Sequence, residues 1–307
     1  SGFEGLKGGS TGDSGANLYL SAKGRLQTIN RWDLNRDGEL DLLFTRDHNS
    51  VYNPDSLIYW GGSDGFQSLL PDLWRLRAPF SLLGYIEQAG SRITRLPAAG
   101  GGRCQIADLN GNGYLDIVFG NYMHNFRTDQ PAYIYWGGAL GFKEKNRTEL
   151  PAYLAGGVAV GDFNGDGLQD VVLANHGDES GENLGFGHNL ESYIYWGNLN
   201  GYDVSRRTSI PTISAADVAA GDFNGDGSLD LAFANYNSQE QSVYIYWGDG
   251  KGGFSEQRRQ VLRRAELRLP ATGRGRFGWI TGMKTLLAAD LNSDRFRDLV
   301  VGGTGNA

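Results

Sequence analysis

The chain has 307 residues, with 47 Gly against 8 Pro, 40% hydrophobic and 21% charged residues, and a formal charge of -7. That apolar content supports a sizeable core and excludes wholesale disorder, while glycine at about 15% without a three-residue period excludes collagen. An acidic balance with no basic tract speaks against a nucleic-acid surface, and the single Cys104 excludes an intramolecular disulfide framework and leaves no zinc spacing.

The chain opens on SGFEGLKGG, which has neither an initiator Met nor an apolar signal core, and fits a mature protein or an excised fragment. No run approaches the length of a membrane helix. ANLYLSAKG reads as a strand of the kind that closes a repeat. The first acidic nonapeptide, DLNRDGELD from Asp33, follows, and then SLIYWGG ending at Gly62. An insertion over 67–90 includes LLPDLWRLRAPFSLLGYIEQ; it is expected to hold a short helix, which Pro71 and Pro79 keep from becoming long. DLNGNGYLD from Asp108 opens the second unit, with YIYWGG ending at Gly138. DFNGDGLQD from Asp162 and DFNGDGSLD from Asp222 open the next two, each followed by YIYWG, at Gly197 and Gly248. DLNSDRFRD from Asp290 is the fifth copy, and one more strand leads to GGTGNA. The first aspartates lie 75, 54, 60 and 68 residues apart, about 64 on average, which suits one small supersecondary unit each.

The third unit shows four strand-like stretches, A to D: GVAVGDF, DVVLANH, SYIYWGN and YDVSRRTSIP, each bounded by Gly, Asn or Asp. Repeated four-stranded antiparallel units are what a β-propeller requires, so the chain is predicted to be all-β. Trp60, Trp136, Trp196 and Trp247 recur at one position of strand C, and packing between units is expected of them in preference to stacking on sugar.

Positions 1, 3, 5 and 9 of each nonapeptide carry oxygen side chains, and position 6 is Gly in four of five copies. A hard cation such as calcium takes six to eight oxygens from a tight loop of this kind. An EF-hand would need Glu at position 12, where Phe44, Phe119, Leu173, Phe233 and Val301 stand. The loop therefore joins strands A and B. Asx-rich turns can also satisfy their own backbone without metal, but three carboxylates forced together without a cation would repel. The sites should be structural. Of the 35 acidic residues, 14 are loop aspartates, so the net charge reflects the loops and is no clue to partners.

The DxNxDGxxD loops resemble the FG-GAP, or VCBS-type, repeats of the integrin α-subunit propeller and of many bacterial extracellular proteins, from about Ile29 to the C-terminus. The resemblance implies a calcium-binding propeller with up to five structural Ca2+ ions. It implies as ligands Asp33, Asn35, Asp37 and Asp41; Asp108, Asn110, Asn112 and Asp116; Asp162, Asn164, Asp166 and Asp170; Asp222, Asn224, Asp226 and Asp230; and Asp290, Asn292, Asp294 and Asp298. Asn112 and Arg295 depart from the pattern and weaken two sets. The expectation is one propeller domain over 1–307, with blade loops at 33–41, 108–116, 162–170, 222–230 and 290–298. Five repeats are visible, either part of a seven-bladed ring or a small five-bladed one.

With calcium loops between A and B, the B–C and D–A loops emerge on the opposite face, where propeller ligands usually bind. The ends of strand B align as Arg46-Asp47, Asn121-Tyr122, Asn175-His176, Asn235-Tyr236 and Gly303-Thr304, with His48 and His124 nearby and His188 in a long third B–C loop. Arg46, His48, Asn121, Tyr122, His124, Asn175, His176, Asn235 and Tyr236 are the candidate ligand residues. Such side chains suit glycan binding, and the face could equally meet an extracellular protein. The enzymatic alternative is a polysaccharide lyase using His176, Tyr236 and Arg46. The bland reading is that each Asn caps its B–C turn. Calcium dependence favours a secreted, cell-surface or periplasmic setting, because cytosolic calcium is scarce; the sequon at Asn146 adds little.

Overall fold

The structure, a computed structural model, describes residues 16–20, 26–30, 33–39, 41–45, 55–63, 92–99, 103–122, 129–177, 189–236, 242–263, 280–294 and 296–305. The insertion over 67–90 lies outside these residues, as do Arg46, His48, His124, His188 and Arg295.

Three complete blades are four-stranded antiparallel sheets in plain sequential order. One contains β6 (Arg103–Ala107), β7 (Asp116–Gly120), β8 (Ala132–Tyr135) and β9 (Arg147–Leu150). The next contains β10 (Ala155–Gly161), β11 (Asp170–Asn175), β12 (Asn189–Tyr195) and β13 (Arg207–Ile213). The third contains β14 (Ala215–Gly221), β15 (Asp230–Asn235), β16 (Ser242–Tyr246) and β17 (Arg259–Arg263). Before them comes a three-stranded sheet of β3 (Leu42–Phe44), β4 (Ser56–Tyr59) and β5 (Ile93–Leu96), and after them a pair, β18 (Ile280–Ala289) and β19 (Asp298–Gly305). The ANLYLSAKG strand, β1 (Ala16–Leu20), does not close a repeat. It forms a hairpin with β2 (Leu26–Asn30), as a short link between antiparallel strands allows.

Blades stack face to face. The A strands of successive blades touch, β6 with β10, β10 with β14 and β14 with β18, which places them innermost. Strand B is buried on both faces and reads as an unbroken apolar run, as sandwiched strands do. In β11, Val171 and Leu173 join the cluster shared with the preceding blade, and Val172 and Ala174 join the one shared with the following blade. Each such fully enclosed Val or Leu contributes about 1.5–3 kcal/mol of burial.

Strand C supplies the cross-blade ties. The second Tyr of each YIYW donates its hydroxyl to a proline carbonyl of the preceding blade: Tyr135 to Pro97 and Tyr195 to Pro151, both at 2.6 Å, and Tyr246 to Pro211. The tryptophans pack as expected. Indole N–H groups of Trp60, Trp136 and Trp196 donate to Thr94, Thr148 and Thr208 on strand D of their own blades, while Trp60 stacks on Phe142 and Trp136 on Tyr202 of the next blade. Because Tyr195 is fully buried, Tyr195→Phe is expected to cost about 1–2 kcal/mol by stranding the Pro151 carbonyl, read as a lower denaturation midpoint.

Acidic loops and the opposite face

Over their described residues the five acidic nonapeptides share one backbone course. Position 6 is left-handed wherever it is Gly, at Gly38, Gly113, Gly167 and Gly227 with φ between 85° and 93°. Position 4 is left-handed too, in Arg36, Gly111, Gly165, Gly225 and Ser293 at φ 62–75°, a demand that the position-6 glycines did not announce. Two left-handed residues fold the turn so tightly that its side-chain oxygens reach its own N–H groups. In the third loop Asp162 accepts from Asp166 N and Gly167 N, Asn164 Oδ1 accepts from Asp166 N, and Asp166 accepts from Leu168 N, at 2.8–3.1 Å. The first, second and fourth loops repeat these bonds, the second with Asn112 in place of Asp. The fifth keeps those of positions 5 and 7.

The ninth residue plays a part of its own. Asp41, Asp116, Asp170 and Asp230 are buried, and each divides its carboxylate between two backbone donors: one oxygen accepts from position 2 of its loop, the other from the Gly after Trp in strand C. This latch explains why DxNxDGxxD and YIYWG travel together in the sequence. It also explains the glycine, since a Cβ at Gly137, Gly197 or Gly248 would run into the carbonyl oxygen of Leu115, Gln169 or Leu229. Burial pushes the Asp170 and Asp116 carboxyls up to about 6, against the pull of their two N–H donors; Asp166 and Asp162 add repulsion at Asp170, and Asp108 at Asp116. Asp41 and Asp230 are raised for the same reasons.

Among the described residues, no three Asp, Glu, His or Cys side chains are drawn together as a ready-made metal cage. The donor set nevertheless fits a hard cation. Asp162 Oδ1 and Asn164 Oδ1 share the single N–H of Asp166, so oxygens from positions 1 and 3 already lie side by side. Each carboxylate oxygen holding one N–H keeps a further lone pair, and the mutual repulsion recorded at Asp170 is what a divalent ion would offset.

The opposite face is built by the B–C and D–A turns, which meet through His176 N on the Tyr153 carbonyl and Tyr236 N on the Ser214 carbonyl. Asn121, Asn175 and Asn235, expected to face ligand, are wholly buried. Their amide oxygens accept from Ala99 N, Tyr153 N and Ile213 N, and the Asn121 and Asn175 amides donate to the Pro131 and Glu191 carbonyls. They brace the turns from within: the amides of Asn121 and Asn175 satisfy the D–A link and the B–C return at once, while among the described residues Asn235 holds the D–A link through its oxygen alone.

The next residue in each copy forms a continuous row. The Tyr122 and His176 rings lie 5.5 Å apart and the His176 and Tyr236 rings 5.2 Å, and the Tyr122 hydroxyl is 3.2 Å from His176 Nδ1. The two tyrosines are half-buried; His176 is 3% exposed. Its enclosure, together with the charge of Lys284, lowers its pKa to about 4, so the ring is neutral near pH 7. Shut between two tyrosines, His176 suits a supporting hydrogen bond better than proton exchange with a bound sugar.

Three overlapping stretches, residues 108–173, 162–233 and 222–301, each match the FG-GAP-like repeat. Integrin alpha-3 of Mus musculus is 30% identical over 175 residues, which is 54% of this chain and 16% of the integrin. That of Cricetulus griseus is 29% identical over 163 residues, 50% of this chain and 14% of the integrin. The matched region is thus a small part of those relatives' length. Among solved structures, the V. cholerae biofilm matrix protein Bap1 aligns with a TM-score of 0.35 at 17% identity, over 84% of this chain and 40% of that one.

Proposed function

The chain belongs to the FG-GAP-like repeat family, and we propose that it is a calcium-stabilised extracellular binding propeller, a single domain that recognises a glycan or an extracellular protein through the face opposite its acidic loops. The observation that carries the binding face is the Tyr122–His176–Tyr236 row, in which one register position of three successive blades is aromatic and the two tyrosines, half-buried, flank the enclosed histidine. Rings of this kind offer apolar faces and hydroxyls together, which favours a glycan. Calcium would be held by the oxygens of positions 1, 3, 5 and 9, and when bound would neutralise the loop carboxylates and pin each A–B turn. The integrin relatives support an adhesion role and an exterior setting, where calcium is plentiful. No helix among the described residues is long and apolar enough to cross a membrane.

The test is binding to a glycan array and to extracellular matrix proteins in calcium buffer, with wild type and the Tyr122→Ala/Tyr236→Ala double variant. Loss of the bound signal by tenfold or more in the double variant is expected. Undiminished binding by a folded double variant would move the site elsewhere.

A further inference from the structure

The innermost ends of the A strands, beside the aromatic row, hold a group of charges that the repeat pattern does not share. Counting back five residues from the first Asp of the second to fifth loops gives Arg103, Gly157, Asp217 and Thr285. These come together around Asp217. The Arg103 guanidinium meets the Asp217 carboxylate at 2.6 Å, from the second unit to the fourth. In the third unit Gly157 leaves room for Asp217, since a Cβ there would stand 2.6 Å from Asp217 Cα and Oδ1. Asp217 is 2% exposed and also accepts from Leu286 N at 2.7 Å and from the Thr285 side chain. Its charge is therefore spent inside the protein.

One residue earlier, the sequence has Gly102, Gly156, Ala216 and Lys284 in these four units. In β10 and β14 this position falls at a register shift opposite strand B, between Ala155 and Gly157 and between Ala215 and Asp217. In β18 it falls between Met283 and Thr285. Bulges re-aim a side chain out of the sheet. Three units leave the position small; at Gly156 a Cβ would meet the Ala216 carbonyl at 2.5 Å. The fifth places a lysine there. Lys284 is exposed, its carbonyl lies 3.4 Å from the Arg103 guanidinium, and its ammonium has no carboxylate partner among the described residues. Its charge reaches the His176 ring, where it opposes protonation. The mouth thus joins an aromatic row to a cation without a carboxylate partner among the described residues, while the acidic loops sit on the other face.

We propose that the mouth binds an acidic saccharide, whose carboxylate or sulfate meets Lys284 while a sugar ring lies against the Tyr122–His176–Tyr236 row. The proposal rests on the reading of that face as the binding face, and adds the ligand's charge. Arg103, already neutralised by Asp217, holds the backbone of Lys284 in place.

The experiment measures affinity of the full chain, in calcium buffer, for a polyuronate, a sulfated polysaccharide and neutral dextran, at low and high salt. Wild type is expected to prefer at least one acidic polymer over dextran by tenfold or more, and to lose affinity as salt screens the contact. Preference for polyuronate or for the sulfated chain distinguishes carboxylate from sulfate. Lys284→Glu should lower the acidic affinity at least tenfold and Lys284→Arg should retain most of it, with melting midpoints unchanged because Lys284 is exposed. Equal binding of dextran, lost in the Tyr122→Ala/Tyr236→Ala variant but untouched by Lys284→Glu, would overturn this proposal and leave the binding face standing. Binding of any polymer that survives both variants would overturn both.

Discussion

Asp170→Ala is expected to lower the unfolding free energy by about 3–5 kcal/mol, the largest effect of any single loop substitution in the third blade. The carboxylate is 0% exposed, and its two oxygens serve Phe163 N at 2.9 Å and Gly197 N at 2.8 Å. Deleting it strands both N–H groups where water does not reach and unties strand C from the A–B loop. At roughly 2–4 °C per kcal/mol for a chain of this size, the midpoint should fall by about 10 °C. The same change at the exposed Asp166, whose bonds are confined to its own turn, should cost under about 1 kcal/mol when no calcium is present. Denaturation of both variants in chelator is the informative measurement. A large loss for Asp170→Ala that persists without metal marks a latch, and a loss that vanishes in chelator would show position 9 to act only through the ion.

The repeat made much of this legible beforehand. Five nonapeptides, the YIYW strands and their alternation with Gly and Asn were sufficient for blades, their order and their two faces, because every pairing within a blade is between sequence neighbours. Strand limits shifted where turn chemistry intervened. In the third unit, Asp203 caps a short 3-10 turn over Val204–Arg206, so strand D starts only at Arg207 and then runs through Pro211, which the outer edge of a sheet tolerates. What could not be read were contacts between blades. Nothing local in Asn175 tells a brace from a ligand group, since the decision is made by the Tyr153 N–H of the preceding D–A link. The Arg103–Asp217 pair links the second unit to the fourth and has no periodic signature, since the corresponding position of the third and fifth units is Gly or Thr. The latch was half visible, in the fixed company of acidic loop and Trp-Gly, but its geometry required strand C to be folded back on the loop.

Removal of the proposed calcium is expected to be the second large perturbation. Each occupied loop that binds only in the folded state stabilises it by about 2.7 kcal/mol at a hundredfold excess of ion over its dissociation constant. The third and fourth loops carry three aspartates each and the full set of Asx bonds, so together they should contribute about 5 kcal/mol. The second loop, with two aspartates, should add least. The effect should follow free calcium and be reproduced poorly by magnesium, which demands a tighter octahedron and gives up its water reluctantly.

Thermal denaturation of the purified chain in millimolar calcium and in excess chelator therefore tests the account most directly. A midpoint lowered by roughly 10 °C on chelation, and restored by calcium, is the predicted result. An identical midpoint in both conditions, with Asp166→Ala and Asp226→Ala also indifferent to calcium, would contradict it and leave the acidic loops as turns that serve only their own backbone.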